Sequence, residues 1–119
     1  MLDTHTFLSW DEGLLPAKVS RRIRAADSVL VSAASAWEVA IKAGLGKLVV
    51  NAPFVDAVRD YGFEELPVQF EHAEFVRTLP LLHRDPFDRM LVAQAIVEGL
   101  TIVTRDPLVT AYAVPTVWG

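Results

Sequence analysis

Two kinds of apolar pattern alternate along the chain. Short continuous or alternating apolar segments are typical of strands, and longer segments carry apolar residues at helical spacing. The expected strands are a very short one ending at Asp3 and four more at residues 28–31, 63–68, 101–104 and 114–117. This alternation predicts a single α/β domain over residues 1–119, a three-layer α/β/α arrangement around a mostly parallel sheet of about five strands.

Helices are predicted between the strands. They cover residues 15–26, 32–45, 53–62, 70–79 and 85–100, with a loop or helical turn at 7–10 and a short helix from Pro107. In the second of these, an apolar stripe is expected on Ala34, Trp37, Ala40, Ile41 and Leu45. Glu38 lies early in that helix, off the centre of the stripe.

The most informative stretch is HRDPFDRMLVAQA, which begins at His83. Asp85-Pro86 is typical of a helix start, because an N-cap acceptor is followed by a residue with fixed φ and no N–H. The apolar residues that follow predict burial on most sides, so the charges are confined to the first turn. Asp88 therefore lies near the positive end of the helix dipole. It either completes a capping box with Asp85 or joins other acids at a site.

Composition indicates a globular, soluble chain. Hydrophobic residues make up 52% and charged residues 22%, and cysteine is absent, which excludes disulfides and thiolate metal sites and fits a reducing cytosol. No apolar run is long enough to cross a membrane, and the first residues lack the basic segment of a signal peptide. We therefore expect a cytoplasmic protein with no membrane partner. The net charge of −4 argues against a basic nucleic-acid-binding face and fits an acidic site that needs cations, or a basic partner segment.

Four acids are expected at one edge of the sheet. Asp3 ends the first strand, Glu38 lies early in the helix after the second, Asp88 opens the helix before the fourth, and Asp106 follows the fourth. Right-handed crossovers bring the carboxyl ends of strands and the amino ends of the following helices to the edge where open α/β sheets bind ligands. Carboxylates crowded there repel one another unless a cation binds, and their oxygens suit Mg²⁺ or Mn²⁺.

Each acid also has a structural alternative. Asp3 can accept hydrogen bonds from turn amides, and Asp106 can cap the helix that begins at Pro107. Glu38 can form a capping box with Ser35 or an ion pair with Lys42. Taken singly these alternatives are favoured, and only the convergence of all four acids favours a metal site.

Four ordered motifs together resemble a known family. LDTHTFL, SAASAWEVAIKAGLGKL, HRDPFDRMLVAQA and TIVTRDP look like those of PIN domains, most of all the VapC-type ribonuclease toxins of bacterial toxin–antitoxin pairs. The resemblance spans essentially the whole chain. It implies that the four acids are catalytic and surround one or two divalent ions, that Thr104 supports the site, and that Asp85 is a cap or supporting group. Met1-Leu2 departs from the family pattern, because it leaves almost no strand before Asp3.

The resemblance also implies an activity and partners. These are Mg²⁺- or Mn²⁺-dependent hydrolysis of RNA phosphodiester bonds, a cognate antitoxin protein, and a homodimer whose interface could use Phe54 or Trp10. The chemistry needs no histidine or serine nucleophile, so His5 and His83 are expected to be exposed loop residues. Candidates for phosphate contact, with ion pairing as an equal alternative, are Lys42, Arg84, Arg89 and Arg105.

Two other functional classes were compared with the nuclease. In one, the chain is a PIN-like binding module that keeps the acids for structure and acts through a protein partner. The other, a phospho-acceptor receiver domain, is disfavoured: Asp3 stands alone after the first strand, Pro67-Val68 follows the third strand, and no lysine follows Lys47.

Overall fold

The computed structural model describes all residues from 1 to 119 and contains seven helices and four short strands. The helices are α1 (Thr4–Asp11), α2 (Ala17–Ala25), α3 (Ala33–Gly44), α4 (Phe54–Asp60), α5 (Phe70–Val76), α6 (Pro86–Glu98) and α7 (Pro107–Thr110). The strands are β1 (Leu30–Ser32), β2 (Glu64–Leu66), β3 (Ile102–Val103) and β4 (Thr116–Val117). None of the helices has both the length and the apolar character of a membrane span.

The N-terminal residues join two strand pairs into one parallel sheet. β1 pairs with β2 and β3 pairs with β4, both in parallel. Leu2 lies between the pairs and forms parallel bridges to Val31 and Val103. The order across the sheet is therefore β2, β1, the N-terminal segment, β3, β4. This confirms the predicted parallel α/β sheet of about five strands, in which the first strand is reduced to a single bridged residue.

This strand order places a crevice beside the N-terminal segment. In chain order the strands are arranged 3-2-1-4-5, so the direction of winding reverses between the N-terminal segment and β3. Open α/β sheets bind ligands at such a switch point, outside the carboxyl ends of the strands. The first residues beyond those two ends are Asp3 and Thr104.

Alternate side chains of the strands enter two separate cores. Met1 and Ile102 pack on one face of the sheet with α6 and α7, in a cluster that includes Leu91. Leu2 and Val31 pack on the other face with residues of α1, α2 and α4. Successive side chains of a strand point to opposite faces, so this division is the expected one for a sheet covered on both sides. It is the predicted three-layer arrangement.

The strands are shorter and the first helix longer than predicted. Backbone pairing extends past the assigned strand ends only through single bonds, such as the one that Glu64 N donates to Val29 O at 2.8 Å. Helix α1 begins directly after Asp3 and continues to Asp11, whereas the sequence predicts only a loop or a helical turn around residues 7–10. The reason is local, because Asp3 Oδ1 accepts a hydrogen bond from Thr6 N at 2.8 Å and so caps the helix.

Of the apolar stripe predicted on α3, only Ala34 is buried, and the prediction is wrong for Trp37, Ala40, Ile41 and Leu45. The inward-facing residues are Ala34, Ser35, Glu38 and Val39. Trp37 is 63% exposed and Leu45 65% exposed. Trp37 packs at the surface, edge-on against Phe87 of α6 with 5.1 Å between ring centroids. The helix is rotated so that its polar residues face the crevice at the switch point.

The two aromatic residues considered for a dimer interface are not exposed. Phe54 is half-buried against Phe7, with 4.8 Å between ring centroids. Trp10 is half-buried against Phe63, at 5.6 Å. Both pack in the aromatic cluster between α1 and α4, so neither offers the exposed apolar surface that a role in a dimer interface requires.

Candidate functional site

Buried polar side chains gather at the switch point. Hydroxyl groups connect the elements there: Thr4 Oγ1 donates to Ser35 Oγ at 2.8 Å, which joins α1 to α3. Thr6 Oγ1 donates to the carbonyl of Val103 at 2.9 Å, which joins α1 to β3. Burying hydroxyl groups is costly unless they are hydrogen-bonded, so these contacts fix the mutual positions of the elements that carry the acids.

Asp3 and Asp106 lie on the wall of one cavity. It has a volume of about 400 Å³, and its other lining residues are His5, Thr6, Ser9, Arg105, Pro107 and Trp118. Each of the two acids also caps a helix, since Asp106 Oδ1 accepts from Leu108 N at 2.9 Å at the start of α7. Thr104 supports this turn by accepting a hydrogen bond from Asp106 N at 3.0 Å. The structural roles predicted as alternatives for Asp3 and Asp106, as helix caps, are therefore present. Each cap uses only one oxygen of the carboxylate.

Asp88 does not form the capping box that was considered for it. Asp85 is the N-cap of α6, and its Oδ1 accepts from Phe87 N at 2.8 Å and from Asp88 N at 3.2 Å. The carboxylate of Asp88 lies against His83 instead, with Oδ2 at 2.9 Å from Nε2.

His83 is the residue that sequence reasoning missed. Its side chain is only 12% exposed, and Nε2 also lies 3.6 Å from Asp106 Oδ2. The ligand atoms of His83, Asp88 and Asp106 are all within 4.8 Å of one another. The expectation of an exposed loop histidine is wrong for His83, whereas His5 is exposed, although it lies on α1. Its place in the sequence does indicate that it can reach the site, because His83 lies two residues before the N-cap of α6 and its side chain can fold back over the start of that helix.

Glu38 is buried with one oxygen bonded and one free. Its Oε2 pairs with Lys42 Nζ across one helical turn, as the structural alternative proposed. Its Oε1 is buried and has no hydrogen-bond partner. The capping box with Ser35 is absent, because Ser32 is the N-cap of α3 and accepts from Ala34 N at 3.0 Å. An unpartnered buried carboxylate oxygen is costly, which indicates a missing cationic or hydrogen-bonding partner.

The acids are close enough to affect one another electrostatically. Burial, followed by the charges of Asp85, Asp3 and Glu38, raises the pKa of Asp88 to about 6, and His83 opposes this shift. The pKa of Lys42 is raised, first by its hydrogen bond to Glu38 and further by the charges of nearby carboxylates. Asp3, Glu38 and Asp88 thus form one interacting group, and His83 links Asp106 to it.

This donor set fits a divalent cation. The free oxygen of Glu38 and the mutual repulsion of the carboxylates are both relieved by a positive ion. Carboxylate oxygens are the ligands that Mg²⁺ and Mn²⁺ prefer. The structure therefore places all four acids in one region, where Asp3 shares a cavity with Asp106 and both Asp3 and Glu38 raise the pKa of Asp88. The ligand atoms closest to one another are those of Asp88, Asp106 and the added histidine, His83.

The four basic side chains predicted as candidates for phosphate contact differ in what they contact. Lys42 is paired with Glu38. Arg89 is available neither for an ion pair with an acid nor for phosphate contact. Its guanidinium donates to Tyr112 Oη and to the carbonyls of Pro80, Val76 and Leu79. Arg84 is exposed and lines an apolar groove between α3, α5 and α6. Arg105 is exposed in the cavity of Asp3 and Asp106, 5.7 Å from the ring centre of Trp118.

Comparison with known proteins gives one family and one fold. The PIN domain family model matches residues 1–114. No curated protein sequence matches the chain significantly. Among solved structures, DNA-bound VapBC from Salmonella typhimurium contains a similar chain, with a TM-score of 0.69 and 18% identity, covering 98% of this chain and 95% of that one. At this identity the structural similarity establishes the fold alone.

Proposed function

The chain belongs to the PIN domain family, and from this premise we propose that it is a metal-dependent endoribonuclease, the toxin of a toxin–antitoxin pair. PIN domains are generally nucleases, which makes hydrolysis the reaction class. The observation that carries the proposal is the convergence of Asp3, Glu38, Asp88 and Asp106 on the switch point, with a buried Glu38 oxygen that lacks a partner.

In this proposal Asp3, Glu38, Asp88 and Asp106 hold Mg²⁺ or Mn²⁺. The chemistry supplied by a cation held there would be a lowered pKa of a bound water molecule and compensation of negative charge on the phosphoryl oxygens. The chain holds the carboxylates in place through the caps of α1 and α7 and through the pairing of Glu38 with Lys42. Thr104 fixes the turn of Asp106.

We assign phosphate contact to Arg105. It lines the same cavity as Asp3 and Asp106, it is exposed, and it has no carboxylate within ion-pair distance. Lys42 and Arg89 are already committed to contacts within the protein. Trp118 lies beside the guanidinium, and an aromatic face next to a cation suits a nucleotide base and its phosphate. The RNA strand would then cross the cavity on the Arg105 side of the acids.

A cognate antitoxin is the proposed protein partner. The similarity to a chain of DNA-bound VapBC supports this partner. A homodimer and a cytoplasmic location are proposed with it, on the basis of the family resemblance in the sequence.

The direct test is cleavage of single-stranded RNA by the purified chain with Mg²⁺, with Mn²⁺ and with a chelator. We expect cleavage only with the metals, and we expect Asp88→Asn to abolish it without lowering thermal stability. Asp56→Asn is the matched control, because Asp56 is an exposed acid in the first turn of α4. Cleavage by Asp88→Asn at the parent rate would show that the catalytic assignment is wrong.

A binding module without nuclease activity is the second candidate. One observation favours it: Asp3, Asp85 and Asp106 all cap helices and therefore have a structural use. The two candidates differ in metal binding. A ligand that binds only the folded state raises the melting temperature, so millimolar Mn²⁺ or Mg²⁺ should stabilise the nuclease and leave a module with purely structural acids unchanged.

A further inference from the structure

The residues from His83 to Asp88 are closed into a ring by three hydrogen bonds. Asp85 N donates to His83 Nδ1 at 3.3 Å. His83 Nε2 lies 2.9 Å from Asp88 Oδ2. Asp88 N donates to Asp85 Oδ1 at 3.2 Å, which completes the ring. Each of the three residues therefore contributes to two bonds, and the imidazole is the only connection from the loop to the carboxylate of Asp88.

The ring determines which nitrogen of His83 carries the proton. A backbone N–H can only donate, so Nδ1 accepts from Asp85 and has no hydrogen of its own. In the neutral imidazole the hydrogen is then on Nε2, which donates to Asp88 Oδ2. With Nδ1 and Nε2 both engaged, neither nitrogen has a free lone pair for a metal ion.

A hydroxyl group on the other side holds the histidine backbone. Tyr112 Oη accepts from His83 N at 3.0 Å and from Leu82 N at 3.2 Å. Arg89 of α6 donates to the same oxygen at 3.0 Å. Tyr112 is buried in the core beneath α6 and α7. The loop before α6 is thus attached to the core through its backbone and to Asp88 through its side chain.

We propose that His83 is a positioning residue for Asp88: its Nε2–H holds one carboxylate oxygen and orients the other toward the divalent cation, and the imidazole itself is not a ligand. The proposal rests on the proposed metal site and assigns a role to a residue outside the four acids. The distance of 3.6 Å from Nε2 to Asp106 Oδ2 places the same N–H beside a second acid. His83 therefore limits the separation of the two carboxylates that α6 and α7 provide.

The size of the effect follows from similar supporting groups in other metal proteins. Removing a residue that orients a metal ligand typically reduces metal affinity or activity about 10- to 100-fold. For His83→Ala we expect the Kd for Mn²⁺ to rise about tenfold and kcat for RNA to fall at least about tenfold, with KM within about twofold. His83→Gln should recover most of both losses, because an amide can donate to Asp88 and accept from Asp85.

The test measures Mn²⁺ binding by calorimetry and by electron paramagnetic resonance on the whole chain, with cleavage kinetics in parallel. Leu81→Ala is the matched control, since Leu81 is an exposed side chain in the same loop, and it should bind Mn²⁺ as the parent does. The resonance signal of Mn²⁺ on the parent should show no directly bonded nitrogen. If His83→Ala does not fold, His83→Gln and this signal still test the proposal.

Several results would overturn it. Parent-like Mn²⁺ affinity and kcat in His83→Ala would make His83 part of the fold only. A directly bonded nitrogen in the parent that His83→Gln removes would make His83 a ligand. Failure of the nuclease proposal is distinguishable, because the parent would then bind Mn²⁺ in a His83-dependent manner without cutting RNA.

Discussion

Helices α3 and α6 each bring one acid to the same edge of the sheet, but they are oriented in opposite ways. The body of α6 is buried on most sides, including Leu91, Val92 and Ala95, and its acid lies in the first turn. Helix α3 buries Glu38 near its middle and exposes Trp37. An acid is therefore brought to this edge both by an apolar helix with a polar end and by a helix whose polar side faces inward.

The position of the acid along each helix explains the difference. Asp88 precedes the buried apolar residues of α6. The first turn can therefore face the site while the rest of the helix packs in the core. Glu38 lies among apolar residues, and a helix can turn only one side toward the interior. In α3 the side that faces the interior is the one that carries Glu38. Apolar residues on the other sides, such as Ile41 and Leu45, therefore lie at the surface.

The largest effect is expected from removing either acid. Glu38→Gln and Asp88→Asn should each lower RNA cleavage about a hundredfold or more, and the double variant should lose little beyond the worse single one, because groups that act as a unit are not additive. Single-turnover cleavage rates at saturating Mn²⁺ would measure this. If one variant cuts RNA at the parent rate, the two helices do not share one site.

The second largest effect is expected on the free energy of unfolding, from removing a buried side chain of α6. Leu91 is fully buried, and Leu91→Ala should lower the free energy of unfolding by about 3 kcal/mol through lost burial and a residual cavity. Urea denaturation with unchanged m-value would measure the loss. A cost below about 1 kcal/mol would contradict a tightly packed α6.

A smaller effect is expected from pH. Because the folded-state pKa of Asp88 is raised from 3.8 to about 6, the folded protein binds this proton more tightly than the unfolded chain does. The contribution is fully present below about pH 4 and is lost as the pH rises through about 6. The shift has an upper bound of about 3 kcal/mol, and solvent screening of the partly exposed group reduces the expected loss to about 1 kcal/mol.

Chemical denaturation between pH 4 and pH 7 in the presence of a chelator would measure this loss. Asp88→Asn should remove the slope, and Asp56→Asn should keep it. An unchanged slope in Asp88→Asn would assign the pH dependence to another group.

The smallest effect is expected on the exposed side of α3. Leu45→Ser, at the C-cap of α3 where the side chain is 65% exposed, should change the free energy of unfolding by no more than about 0.5 kcal/mol, as surface substitutions usually do. Comparison with Leu91→Ala under the same conditions provides the contrast. A loss of 2 kcal/mol or more would show that this side of α3 is covered in solution.

The sequence was sufficient for features that depend on neighbouring residues or on strand order. The N-cap at Asp85, the burial of α6 and the parallel sheet were all predicted, and the four acids do gather at one edge. Whether they bind metal stays a prediction. Topology brings Asp3, Asp88 and Asp106 to this edge, because each follows a strand or lies in the first turn of a helix. Glu38 lies near the middle of α3 and reaches the same region because that side of the helix faces inward.

Features that depend on the choice between competing contacts were not predictable. The hydrophobic pattern of α3 gives no sign that Glu38 rather than Trp37 faces inward. Arg89 was expected beside an acid or a phosphate and instead donates to carbonyl groups. The position of His83 two residues before an N-cap shows that it can reach Asp88, but whether its loop folds back over α6 does not follow from the sequence pattern. In all three cases the deciding partner is distant in the chain or in an irregular segment, where periodicity carries no information.

The central place of Leu2 in the sheet has a consequence for how the chain folds. The backbone hydrogen bond from Val103 N to Met1 O, at 2.8 Å, joins two residues that are distant in sequence, and such contacts form slowly. During synthesis the half with β1 and β2 can pair with the first residues, but Asp88 and Asp106 emerge later. A nascent chain therefore has no complete acidic site until Asp106 has left the ribosome.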